Sequence, residues 1–394
     1  MLSRRAVCRP SRRLIRVTPS IVSAAHVPRT PLCMRYLHME GLALAPVVFG
    51  GLFVSLWTWK CIMMVVFQNK IIYMPGLPPN SRREKIDDYR DRLGKIAWRE
   101  ERIRAADGTD LALCVADLEL GSDKGSRSPN NAFYILYFQG NASSIPPRLP
   151  DLSSTLSMLK REMAAEQKNT RCTMICLSYR GYWTSRGSPK EKGLRLDSAA
   201  AIEWISHMHQ RASHEGLQSP ADVVLWGQSI GCGVATNLAA EKLMPENLRL
   251  NSLVLETPFT SIRAMLEVLY PQKWLPYKYL WPFLRNHLNS WENLKLIADT
   301  YGTKASVPEV LILQAAKDEL VPAELSQELY SRCLELQLPV RKTLVDGAFH
   351  NDTTFRAEGR RAISQFLAHR IRAAGGQAWK KVTEGLPGSN DRAH

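Results

Sequence analysis

From Trp98 to Val345 the chain alternates short apolar runs with longer amphipathic stretches, and no other feature constrains the fold as much. Runs of strand length, rich in Val, Ile, Leu and aromatic residues, lie at 97–105, 111–116, 132–138, 172–179, 222–227, 252–256, 309–314 and 340–345. Stretches with helical spacing lie near 152–167, 191–213, 231–243, 259–269, 322–335 and 355–373. Strands that alternate with helices of this length build right-handed β-α-β units, and hence a mainly parallel sheet covered on both faces. Only Asp107-Gly108-Thr109 separates the first two runs, so these should form an antiparallel hairpin. The predicted class is α/β, with one mainly parallel eight-stranded sheet.

One motif sits where this frame can use it. Gly227-Gln228-Ser229-Ile230-Gly231 is a G-x-S-x-G pentapeptide that follows the apolar run ADVVLW and opens the helix-like run GCGVATNLAAEK. A strand turning sharply into a helix strains the central serine and lifts its Oγ above the sheet, and small residues on either side avoid clashes across the turn. The serine also stands at a helix N-terminus, where free N–H groups and the helix dipole favour an oxyanion. A nucleophilic serine needs a base and an orienting acid, which follow it in the order acid, then histidine. Of the nine histidines, His350 alone lies in a loop after the late strands; His369 falls in a helix and His394 is terminal. For the acid, the run VLILQAAKDELVP leads off an apolar strand into Asp318, with Glu319 as the alternative. Asp346 and Asp352 lie too close to His350 along the chain. The second oxyanion donor is expected from the loop after the third strand, YFQGNASS, where Gly140 allows close backbone approach and the N–H of Asn141 could join that of Ile230. His207 and His209 are two apart on a helical stretch and face different ways, which argues against a metal site there. The chemistry needs neither a metal nor an organic cofactor.

The front of the chain is of another kind. Residues 41–59 form an uncharged apolar run, GLALAPVVFGGLFVSLWTW, followed after Lys60 by CIMMVVF to Phe67. At about 1.5 Å per residue, nineteen residues span about 28 Å, close to a bilayer core. Trp57 and Trp59 suit an interface and Lys60 could snorkel, so 41–67 is expected to be a single membrane span. Before it, residues 1–40 carry eight arginines, no lysine and one acid, Glu40, the composition of a mitochondrial transit peptide or of a basic cytosolic tail. A mitochondrial or an endoplasmic reticulum membrane is expected. Eight of the fifteen net positive charges thus belong to residues 1–39 and three more to residues 370–394, leaving 40–369 near neutrality. A basic-stripe nucleic-acid binder is thereby excluded. The eight cysteines include no C-x-x-C pair and are scattered through apolar segments, as buried free thiols would be. Residues 68–96 read as a proline-containing connector, 97–373 as the folded domain and 374–394 as a disordered tail.

Several motifs together carry a family resemblance. F-Q-G-N-A (138–142), S-Y-R-G-Y (178–182), G-S-P-K-E-K-G-L-R-L-D (187–197), W-G-Q-S-I-G-C-G-V-A-T-N-L-A (226–239), L-E-T-P-F-T-S-I (255–262) and D-E-L-V-P (318–322) resemble the membrane-anchored α/β-hydrolase-domain lipases. The likeness is to the lysophosphatidylserine and monoacylglycerol lipase group and its fungal bud-emergence relatives, over about 68–370. It implies the α/β-hydrolase fold and a serine hydrolase that cleaves monoacylglycerols or lysophospholipids, anchored by one N-terminal span. Ser229, Asp318 and His350 fall on the family's triad. The resemblance also implies structural roles near the site for Arg180 and Asp197. The chain departs from the pattern at Gln139, where the family has histidine, and at Trp183, where it has glycine.

About fifty residues separate the sixth and seventh strands, and such an insertion is the usual place for a cap, here about 262–305. Its segment 270–291 is rich in aromatics with Lys273, Lys278 and Arg285 interleaved, so Trp274, Tyr277 and Trp281 are expected to bind the acyl part of a lipid ester beside Gly140. Two other functions fit the same sequence less well. One is an esterase, thioesterase or acyltransferase for another small acyl substrate, and the other is a catalytically silent membrane scaffold. Nothing in the sequence speaks to oligomeric state.

Overall fold

The computed structural model describes residues 39–121, 131–167, 170–213, 220–273, 275, 277–302 and 307–384. Expectations for the leader up to residue 38 and for Trp274 lie outside the described residues. In chain order the elements are α1 (Met39–Val66), α2 (Gln68–Tyr73), β1 (Trp98–Arg104), β2 (Asp110–Leu120), β3 (Asn131–Phe138), α3 (Leu149–Glu162), β4 (Thr170–Ser178), α4 (Glu191–Ser213) and β5 (Ala221–Gln228). They continue as α5 (Ile230–Ala240), β6 (Leu248–Glu256), α6 (Ile262–Leu269), α7 (Ser290–Tyr301), β7 (Glu309–Ala315), α8 (Ala323–Glu335), β8 (Val340–Val345) and α9 (Ala357–Glu384).

The eight strands form one sheet in the order β1-β2-β4-β3-β5-β6-β7-β8. β2 pairs antiparallel with both β1 and β4, and the remaining pairs are parallel, so β2 alone runs against the others. The hairpin turn uses Gly108 at φ 79°, a left-handed position that glycine fills without strain. This is the α/β-hydrolase order that the family resemblance implies.

Alternate residues of each strand feed two separate cores, as the period of 2 requires. Leu136, Val223 and Leu225 pack with α4, α5, α7 and α8, whereas Tyr137, Val224 and Trp226 pack with α3 and α9 on the other face. Every residue of β5 is buried, which explains its unbroken apolar run and places it at the centre. β3 lies between β4 and β5, so the chain leaves β3 and β5 in opposite directions and opens a crevice beyond their carboxyl ends. Register aligns those ends, with Phe138 opposite Gly227. The loops after β3 and β5 are therefore neighbours.

Three features differ from the sequence expectation. α7 packs its Leu294, Ile297 and Tyr301 into the core shared with α5 and α8, so the segment 262–305 is not uniform. Its earlier part holds α6 and a 3-10 stretch, Tyr277–Phe283. The connector contains the short helix α2, whose Tyr73 is fully buried. Finally, α9 continues to Glu384, past the end expected at 373, because a Gly375-Gly376 pair weakens a helix without terminating it. In α1, Leu44–Val66 is long and apolar enough to cross a membrane, and none of that window is buried.

Candidate active site

Ser229 occupies the turn between β5 and α5 with φ 52° and ψ −118°, a conformation that costs a non-glycine residue about 1–3 kcal/mol. The flanking glycines explain how the turn closes. A Cβ on Gly227 would lie 2.3 Å from the carbonyl oxygen of Gly231, and one on Gly231 would lie 2.1 Å from that of Phe138. The Ser229 N–H donates to the carbonyl of Glu256 at 2.9 Å, which ties the turn to the end of β6.

Two further loops reach this serine. His350, which follows β8, places Nε2 2.9 Å from Ser229 Oγ. Its Nδ1 stands 2.9 Å from Asp318 Oδ2 and 3.0 Å from Oδ1. Asp318 is fixed in turn, because its Oδ1 accepts the N–H groups of Leu320 at 3.0 Å and Val321 at 2.8 Å. Glu319, the alternative acid, points elsewhere and accepts the backbone N–H of His350 at 3.0 Å. The serine is only 6% and the histidine only 2% accessible, so water cannot screen the three groups from one another. A hydroxyl whose proton can pass to an imidazole, itself oriented by a buried carboxylate, is the geometry of an activated nucleophile.

Beneath them lies an ion pair that sequence reasoning missed. Glu256 is fully buried at the end of β6, and Arg148 donates to it at 2.5 Å. Trp226 Nε1 donates to the same carboxylate at 3.2 Å, and the Thr353 hydroxyl also donates to it. Arg148 further donates to the carbonyl of Asn351 at 2.9 Å, so the loop that carries His350 rests on this pair. Burial opposes the charge on Arg148, but Glu256, Tyr137 and Asp151 outweigh it and hold the guanidinium protonated. An acid that directly ends an apolar run, as in LVLE, was the available signal.

The loop after β3 also comes close to the serine. A Cβ on Gly140 would stand 3.5 Å from that of Ser229, so the backbone there passes close to the serine. Ile230 begins α5, and its N–H is among those a helix leaves without an internal acceptor. Among the described residues the N–H of Asn141 has no acceptor either. Both donors proposed from sequence are thus free to serve a ligand. Gln139 is 4% accessible, and neither its Oε1 nor its Nε2 has a partner among the described residues. Its backbone is held by Tyr179, whose hydroxyl donates to the Gln139 carbonyl at 2.9 Å.

Farther out, Arg180 donates to Asp197 from its backbone and from Nε, at 2.9 Å each, and also donates to Asp107 at 2.7 Å. The Arg180 bond to Asp107, with one from Thr109, holds the Asp107 carboxyl well below the usual carboxylate range. Of the aromatics expected to bind substrate, Tyr277 lines a small apolar cleft of about 50 Å³ with Ile262, Leu266 and Leu284. Trp281 does not line it, being 44% exposed with the Arg263 guanidinium 4.2 Å from its ring centre.

Comparison with known proteins gives several matches. The chain is 27% identical over 335 residues to Bem46 of Schizosaccharomyces pombe, covering 85% of this chain and 93% of that protein. It is 29% identical to the α/β-hydrolase domain-containing protein WAV2 of Arabidopsis thaliana, over 72% of this chain and 80% of that protein. It is 35% identical to the lysophosphatidylserine lipase ABHD12 of Danio rerio, over 40% of this chain and 38% of that protein. An uncharacterised protein of Mycobacterium tuberculosis is 31% identical over 49% of this chain, which spans 58% of that relative's length. No family model matches the chain. Among solved structures, the Pyrococcus furiosus esterase Pf2001 matches with a TM-score of 0.47 and 18% identity, over 71% of this chain and 92% of that one.

Proposed function

The chain is a homologue of the α/β-hydrolase-domain proteins Bem46, WAV2 and ABHD12, and from that premise we propose that it is a membrane-anchored serine hydrolase of lipid carboxylic esters. The observation that carries the proposal is the relay from Ser229 Oγ through His350 to Asp318, with 2.9 Å at each junction. Substrates are monoacylglycerols or lysophospholipids, in keeping with the activity named for ABHD12. α1 supplies the anchor.

Asp318 accepts the Nδ1–H of His350 and so presents Nε2 as the base. Nε2 takes the Ser229 proton as Oγ bonds to the ester carbonyl carbon. The oxygen that becomes negative is received by the N–H groups of Ile230 and Asn141, each contribution being of the order of a few kcal/mol. The imidazolium returns its proton to the departing alcohol as the carbon–oxygen bond breaks, leaving an acyl-serine. Water then repeats the sequence, releasing fatty acid and restoring Ser229. The strained turn and low accessibility support this reading, because the serine stands preorganised for attack.

Labelling of the full chain in membranes by a fluorophosphonate probe tests the proposal. Wild type should label and Ser229→Ala should not. Equal labelling of the two would refute it. Hydrolysis assays with monoacylglycerol, lysophosphatidylserine and a short acyl thioester then decide the substrate class.

A further inference from the structure

The loop that offers the Asn141 N–H does not hold itself in place. Ala142 and Ser143 follow with φ 57° and 62°, a left-handed conformation that side-chain-bearing residues rarely adopt. Their backbone N–H bonds leave the loop. The Ala142 N–H donates to the carbonyl of Tyr73 at 3.0 Å, the Ser143 N–H donates to that of Leu77, and the Ser144 hydroxyl donates to Glu84. All three acceptors belong to the segment that directly follows α1.

Tyr73 is the hinge of this arrangement. It is fully buried, and its carbonyl also accepts the Tyr182 hydroxyl. Its own hydroxyl donates to Asn286 Oδ1 at 3.0 Å, in the insertion between β6 and β7. Asn286 then donates to Asn69 at 2.7 Å, and Gln68 donates to the carbonyl of Phe283 at 3.1 Å. The same Asn286 Oδ1 receives the N–H of Glu191, at the start of α4, at 2.8 Å. α2 is thus bonded at one end to the insertion and at the other to the loop beside Ser229. None of these bonds passes through Ser229, His350 or Asp318.

We propose that Tyr73 is a positioning residue for the oxyanion loop, and that residues 68–84 form part of the active site rather than a tether. The inference rests on the hydrolase reading above. Donors in such a loop act on charge that exists only in the transition state. Shifting them therefore slows the chemical step without weakening ground-state binding. The hydroxyls of Tyr73 and Tyr182 and the amide of Asn286 are the side-chain groups through which the shift can be made.

The test uses the full chain in detergent micelles with a soluble ester, comparing Tyr73→Phe, Tyr182→Phe and Asn286→Ala with wild type. Each should lower kcat by about tenfold, against the 10²–10³ typical of deleting one oxyanion donor, with KM and the pH profile unchanged. Affinity for a trifluoromethyl ketone, which mimics the tetrahedral intermediate, should fall by the same factor, and inhibition by product fatty acid should not change. A kcat within twofold of wild type in all three variants overturns the inference, as does an equal loss of ketone and fatty-acid affinity. If wild type fails to react with a fluorophosphonate, the hydrolase reading falls and the inference with it. If wild type reacts and the variants are unimpaired, only the inference falls.

Discussion

The guanidinium of Arg148 and the carboxylate of Glu256 meet at 2.5 Å beneath the histidine loop, with Glu256 wholly shielded from solvent. Removing one partner of such a pair leaves an uncompensated charge and costs about 3–5 kcal/mol, whereas replacing both by apolar groups of similar volume can be nearly neutral. Arg148→Met should therefore lower the thermal midpoint sharply, and Arg148→Met with Glu256→Leu should recover much of the loss. Thermal melts of the three proteins check this. A single variant as stable as wild type would show that the pair does not support the fold.

The adjacent acids Asp318 and Glu319 touch the same histidine through different atoms, one at the ring and one at the backbone. Asp318→Asn should reduce kcat by about 10⁴, since the amide favours the wrong imidazole tautomer. Glu319→Gln keeps an acceptor for the His350 N–H and should retain kcat within about tenfold. Steady-state kinetics on one ester decides the matter. The reverse ranking would make Glu319 the orienting acid.

Burial pushes the Cys172 and Cys333 thiols up to about 12, and those of Cys114, Cys176 and Cys232 also rise well above the ordinary value. In the unfolded chain a thiol titrates at about 8.5. A group whose pKa is raised on folding contributes stability that is fully present below its unfolded value and is lost as pH climbs toward its folded one. Stability should therefore decline from about pH 8.5 toward 12, each thiol contributing up to about 1.4 kcal/mol per pH unit. Denaturant midpoints at pH 8 and pH 10 should show the decline, and Cys172→Ala with Cys333→Ala should flatten it. An unchanged slope in that double variant would count against the assignment.

Much of this was legible in the sequence because its causes are local. Apolar runs of strand length reveal themselves by composition, and β8 at Val340–Val345 begins and ends where its run does. Gly227 and Gly231 flank Ser229 because the turn has no room for a Cβ, so the motif is a steric record of the backbone. Asp318 and His350 were reachable from their places after late strands.

The tertiary structure alone decided which distant groups meet. The sequence places Tyr73 in a connector, Ala142 in a loop and Asn286 in an insertion, and no local pattern joins them. The same holds for Arg148 and Glu256, separated by 108 residues. Asp318 and Glu319 are chemically alike and adjacent; position along the loop favours Asp318, but only the folded chain sets Asp318 against the ring and Glu319 against the backbone N–H. Periodicity and turn chemistry depend on neighbours in the chain and are written in order along it. Hydrogen bonds between remote loops depend on where the sheet delivers their ends, and that is settled only when both cores have packed.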